Sequence, residues 1–165
     1  VMAMLVDAFQ PEGVTRLAVD SIFMMPHLGV LSKLNSRAAM EVFERDCLVH
    51  LGTCVSTVGT ADQGELSLRF KLNLPSGYVE SALKVGQIQC FPLQEDELAE
   101  IELIPTKAMD IGGGKGEKTK VCVSGGVVGL IIDARGRPLN RASDKEKRVA
   151  QLIEWQKAMS LYEVT

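Results

Sequence analysis

The chain has 165 residues, the length of one domain or of a domain with a piece of a neighbour attached. Hydrophobic residues make up 46% and charged residues 24%, which excludes a disordered chain and a coiled coil. No apolar run approaches the ~18 residues of a membrane helix, and no basic-then-apolar leader opens the chain, so the sequence predicts a soluble, cytoplasmic protein. The net charge of −3 conceals a polarity: residues 1–105 hold 7 Lys/Arg against 14 Asp/Glu, whereas residues 106–148 hold 10 against 5. A basic stretch inside an acidic chain marks either an anion site or a solvated face.

The first residues, Met2 to Phe9, are dense and apolar and read as the last turns of a core helix. Gln10-Pro11-Glu12-Gly13 is a turn. Thr15 to Val19 predicts a short buried strand, followed by a helix from about Ile22 to Leu31 with Pro26 in its first turn. A second helix is expected from Ser36 to Leu48, with Ala39, Met40, Phe43 and Cys47 on one face. Met24, Met25 and Met40 are read as core residues at that spacing.

The period then changes. Leu66, Leu68, Phe70, Leu72 and Leu74 alternate with polar residues, the clearest strand pattern in the chain. Further strands are expected near 51–58, 79–85, 87–93, 99–104, 119–123 and 127–133, separated by turns at 75–77, Gly86, 125–126 and 135–136. The apolar run Val127, Val128, Leu130, Ile131, Ile132 suits a central strand covered on both faces. Ser143-Asp144-Lys145-Glu146 fits a capping box opening a last helix that carries Val149, Leu152, Ile153, Trp155 and Met159. The predicted fold class is α+β, a mainly antiparallel β-barrel or sandwich with flanking helices. The predicted division is 1–49, a helical tail of an upstream core; 50–142, the barrel-like domain; and 143–165, a C-terminal helix.

Cys47, Cys54, Cys90 and Cys122 include no Cys-x-x-Cys pair and have two histidines for company, so no metal site is expected. Scattered cysteines between apolar neighbours, as in Val121-Cys122-Val123, read as buried thiols. His27 and His50 read as partly buried. Glu95, Asp96, Glu97, Glu100 and Glu102 read as an acidic loop and a blunted strand edge.

The loudest local signal is Asp110-Ile111-Gly112-Gly113-Gly114-Lys115-Gly116-Glu117-Lys118-Thr119. Free backbone N–H groups of consecutive glycines can converge on an anion, and Lys115 and Lys118 add charge. The P-loop spacing fails, because Gly112 requires a glycine at 117 and finds Glu117. The dinucleotide fingerprint fails at the same residue. The alternative is a plain glycine-rich loop. The stretch Gly125 to Leu139 reads as a turn, a buried strand in which Gly129 permits close backbone approach, and an Arg-rich turn. There Asp133 can fix Arg135 or Arg137, or the two arginines can receive a phosphate or carboxylate. The candidate anion- or partner-binding residues are therefore Gly112, Gly113, Gly114, Lys115, Gly116, Lys118, Arg135 and Arg137, with Asp133 and Gly129 structural.

The run Leu17-Ala18-Val19-Asp20 through Met25-Pro26-His27-Leu28-Gly29-Val30-Leu31 to Ala38-Ala39 resembles the closing segment of MutL-type glutamate mutase accessory proteins. The Asp110-x-Gly loop and the Gly125-Gly126-Val127-Val128-Gly129 to Asp133-x-Arg135-Gly136-Arg137-Pro138 stretch resemble it too, and the likeness covers most of the chain. It implies kinship with hydantoinase and actin-like ATPases that protect or reactivate adenosylcobalamin-dependent mutases. It also implies that the nucleotide motifs lie upstream, so ATP and Mg belong to the parent and no catalytic residue carries over. The leading expectation is a non-catalytic C-terminal β domain that docks on the mutase or packs on its own ATPase core. The alternatives are a nucleotide- or anion-binding fragment using the 110–119 loop, and a small nucleic-acid-binding barrel. Eight aromatics in the whole chain disfavour the last.

Overall fold

A computed structural model describes Val6, residues 11–62 and residues 64–136. Nine strands and two helices follow one another: β1 (Gly13–Asp20), α1 (Met25–Leu34), α2 (Ser36–Val42), β2 (Leu48–Gly59), β3 (Leu66–Leu74), β4 (Gly77–Lys84), β5 (Ile88–Phe91), β6 (Leu98–Pro105), β7 (Met109–Asp110), β8 (Thr119–Ser124) and β9 (Gly129–Gly136). They form two mainly antiparallel sheets. One runs β1-β2-β9-β5, with β7 also on β2, and the other runs β4-β3-β6-β8. Among the described residues the strands do not close into a barrel.

The second sheet is the one the alternation foretold. Leu68, Phe70 and Leu72 of β3 are fully buried, as are Ile101 and Leu103 of β6. They share one core cluster with Val55, Phe91, Leu130, Ile132 and Ala134 of the first sheet. The opposite face of β3 and β6 is wet and carries a charge ladder. Glu102 Oε1 lies 2.9 Å from Lys118 Nζ and 3.9 Å from Lys71 Nζ, and Glu100 pairs with Lys120 at 2.6 Å. Glu100 and Glu102 therefore do not blunt an edge: β6 is an interior strand between β3 and β8, and its acids are matched by the lysines beside it.

In the first sheet β9 is a central strand with Leu130, Ile131 and Ile132 all fully buried, but it begins at Gly129, and Val127 of the expected run is 73% exposed before it. Its pairing with β2 is parallel, against the antiparallel trend elsewhere. The outer face of this sheet holds a second cluster of Val6, Leu51, Cys54, Cys90 and Ile131. Cys54 and Cys90 are both in register with Ile131, one on each side.

β1 is a half-exposed edge strand rather than a buried one. It pairs with β2 from Gly13↔Ser56 to Asp20↔Leu48, so the expected boundary at 49/50 runs through β2 and leaves out a strand of the same sheet. α1 and α2 form the connection between these two strands. Pro26 stands at the start of α1, where its missing N–H costs nothing. Asn35 caps α2, its Oδ1 accepting from the Ala38 N–H at 3.0 Å. The expected helix to Leu48 widens into a π turn at Phe43–Cys47 before β2 begins.

Several burial expectations are corrected. Met25 and Met40 are each 56% exposed, because α1 buries Leu28 alone and α2 Ala39 alone. His27 is exposed on α1, while His50 is half-buried in β2. Cys47, Cys54 and Cys90 are buried, but Cys122 is exposed because its position on β8 faces the wet side, opposite Glu100. The expected C-terminal helix lies outside the described residues. No helix among the described residues is long and apolar enough to cross a membrane.

Candidate functional site: the glycine loop and the Arg turn

The glycine loop and the end of β9 lie at one end of the first sheet, where Arg135 and Gly136 continue the strand instead of the expected turn. Val58 of β2 is in register with Asp110 of β7 on one side and with Gly136 of β9 on the other. Two strand spacings, about 10 Å, therefore separate the backbones of Asp110 and Gly136. The sequence offered no periodic signal for β7, whose two residues are the hinge of this arrangement.

The loop itself is occupied from within. Gly112, Gly114 and Gly116 adopt positive φ angles of 110°, 115° and 73°, turning successive amides inward. The N–H groups of Gly112 and Gly114 donate to Asp110 Oδ1 at 2.6 and 3.1 Å. Gly116 N–H closes back on the Met109 carbonyl at 2.8 Å. The carboxylate of Asp110 thus stands where an incoming anion would bind. Those amides, first Gly112 and then Gly114, hold its pKa below the ordinary carboxylate value, and Lys115 adds to the effect.

Lys115 is exposed. Lys118 is drawn away to Glu102 on the second sheet, whose carboxyl is lowered first by the Lys118 hydrogen bond. Of the predicted basic group, Lys118 is therefore committed elsewhere. Arg135 is placed by its backbone in β9, and Arg137 lies outside the described residues.

Asp133, three residues before Gly136 in β9, is fully buried on the same face as Cys54. Ser56 Oγ donates to its Oδ2 at 3.3 Å, and Cys54 Sγ lies 3.4 Å from Ser56 Oγ. These groups form a buried polar row on β2 and β9. Cys90 has no thiolate chemistry to offer, because burial pushes its thiol up to about 12. Among the described residues no three His, Cys, Asp or Glu side chains converge as a metal set.

A pH prediction follows from the loop. A carboxyl whose folded pKa is depressed contributes stability that is complete above its unfolded value, near pH 4, and is lost as pH falls through the lowered native value. Asp110→Asn keeps an acceptor oxygen but loses the charge. Its melting temperature is expected to lie below that of the parent at neutral pH and to converge with it in acid. A difference that persists unchanged into acid would show that the charge of Asp110 does not hold the loop.

Sequence reasoning missed the glycines at the crossing of the two sheets' strands. A Cβ on Gly126 would sit 2.5 Å from Leu51 C and 2.6 Å from Gly52 N, and one on Gly125 would strike the Leu93 and Gln94 carbonyls. The signal was present in the Gly125-Gly126 pair, which reads equally well as a plain turn. Compared with protein-family models, with curated proteins and with solved structures, this chain finds no match.

Proposed function

We propose that this chain is a non-catalytic β domain, a two-sheet sandwich with a helical hairpin, that acts in docking or interdomain packing within a protein resembling mutase-reactivating ATPases. The observation that carries the reading is the apolar surface of residues 14–40. Of ten large apolar side chains exposed among the described residues, seven come from this segment: Val14, Ile22, Phe23, Met25, Val30, Leu34 and Met40. Scattered exposed apolar residues need no explanation, but a concentration in one segment is the mark of a surface that is covered in use.

Phe23 is the sharpest case. It is 83% exposed at a φ of 54°, a left-handed conformation unfavourable for a bulky residue. Asp20 Oδ1 enforces it by accepting from the N–H groups of both Ile22 and Phe23, at 3.1 and 3.0 Å. A strained aromatic held outward is preorganised for a partner. In this reading the partners are the protein's own ATPase core and an adenosylcobalamin-dependent mutase, and ATP with Mg is used by the parent's upstream lobes. The internal occupation of the glycine loop by Asp110 favours docking over the anion-site alternative.

Titration calorimetry with an adenosylcobalamin-dependent mutase tests the reading. The double variant Phe23→Ser, Leu34→Ser is expected to bind at least about tenfold more weakly, with an unchanged melting temperature because both side chains are exposed. Equal affinity for parent and variant would remove this surface from the interaction. Magnesium-dependent ATP turnover abolished by Asp110→Ala would replace the docking reading with an enzymatic one.

A further inference from the structure

Among the described residues four strands, β1, β5, β4 and β8, stand at the ends of the two sheet orders. β5 is only four residues long. β8 carries Lys120, ion-paired to Glu100. β4 carries Glu80, which accepts from Tyr78 Oη at 3.0 Å. β1 carries Arg16 and Asp20, pairs on one side only among the described residues, and differs in leading directly into the exposed Ile22 and Phe23. The β-bulge in its ladder falls between Leu17 and Ala18, where β2 supplies the extra residue Leu51, so β1 itself stays regular. A long edge with unpaired N–H and C=O groups and a mostly apolar sequence is a template for another strand.

We infer that β1 pairs antiparallel with β1 of a second copy of this chain, about a two-fold axis at Ala18. A two-fold that keeps the buried faces of both sheets on the same side sets residues of like parity opposite each other. Centring on Arg16 would place two arginines face to face, and centring on Leu17 would set Val14 against Asp20. Centring on Ala18 sets Arg16 opposite Asp20, twice by symmetry, and Leu17 opposite Val19, while Asp20 Oδ1 also accepts from the Ile22 and Phe23 N–H groups. Both of these cross-strand pairs are complementary, and such pairs are the unit of sheet stabilisation. Ala18 is exposed and small at the axis, where the two chains approach most closely. β4 has the same charge spacing, Glu80 and Lys84 about Ala82, but no exposed apolar cluster continues it.

Sedimentation equilibrium on the intact chain, with register-specific cross-linking, tests this. In a Cys122→Ser background, which removes the exposed native thiol, Ala18→Cys is expected to form a disulfide-linked dimer on mild oxidation. Directly opposed residues stand about 4.5–5.5 Å apart at Cα, within disulfide reach. Arg16→Cys faces residue 20 of the other copy and is expected to stay uncross-linked. Arg16→Glu, which sets like charges opposite each other, is expected to raise the dimer dissociation constant at least tenfold with an unchanged monomer melt. The inference is overturned by a chain that remains monomeric into the hundreds of micromolar. It is equally overturned by a dimer that cross-links through Ala82→Cys and not Ala18→Cys, or by one indifferent to Arg16→Glu.

Discussion

Gly52→Ala is expected to lower the stability of the chain by about 2–6 kcal/mol, combining overpacking of ~1–3 with backbone strain of ~1–3. The position is closed to a side chain for two independent reasons. Its φ of 140° is one that residues with a Cβ rarely adopt, and an added Cβ would collide with the carbonyl oxygen of Gly129 and lie 2.8 Å from its carbon. Both atoms belong to the backbone of the parallel neighbour β9, so no side chain can rotate out of the way. The loss is a large share of the ~5–15 kcal/mol that holds a typical domain together. Urea unfolding should therefore show a midpoint far below that of the parent with a similar slope. Gly29→Ala is the matched control. It sits inside α1 with nothing within 4 Å of an added Cβ, and is expected to stabilise by ~0.5–1 kcal/mol through the chain entropy that alanine removes. Equal effects from the two substitutions would mean that β2 and β9 do not approach closely at Gly52.

That contrast also marks what could be read from the chain before its structure. Gly29 and Gly52 look alike as letters. The pleated alternation of residues 66–74 and the unbroken apolar run ending at Ile132 identify β3 and β9, because side-chain period and two-sided burial are local properties. The partner of a strand is not local. Nothing in the period of 127–133 says that β9 lies parallel to β2, and so nothing announced that Gly52, Gly126 and Gly129 share one tight crossing. The helices failed for a related reason. An apolar stripe predicts that something covers it, not what does, and Met25 and Met40 were assigned to a core that the described residues do not supply. In the glycine loop the deciding residue was Asp110, two positions before Gly112. A short acidic side chain at that offset can cap its own loop, whereas the glycines and lysines alone suggest a ligand from outside.

Phe70→Ala is expected to cost ~3–5 kcal/mol, the range for removing a large aromatic side chain from a closed core. Phe70 is fully buried in the middle of β3. Its ring meets Phe91 of β5 with centroids 5.7 Å apart and planes at 74°, an edge-to-face contact between the two sheets. The positive ring edge of one residue against the negative face of the other is worth ~0.5–1.5 kcal/mol beyond the area buried. A double-mutant cycle isolates that part: Phe70→Leu and Phe91→Leu keep most of the volume and remove the ring contact, and their coupling should fall in the same range. The measurement decides more than one contact. Phe70 belongs to the β4-β3-β6-β8 sheet and Phe91 to the β1-β2-β9-β5 sheet. Coupling between them requires the two sheets to share a core and to unfold together. Additive single effects, or two separate urea transitions, would show instead that each sheet is held by its own side chains. The charge ladder on β6 and the apolar residues of 14–40 would then belong to units free to move apart.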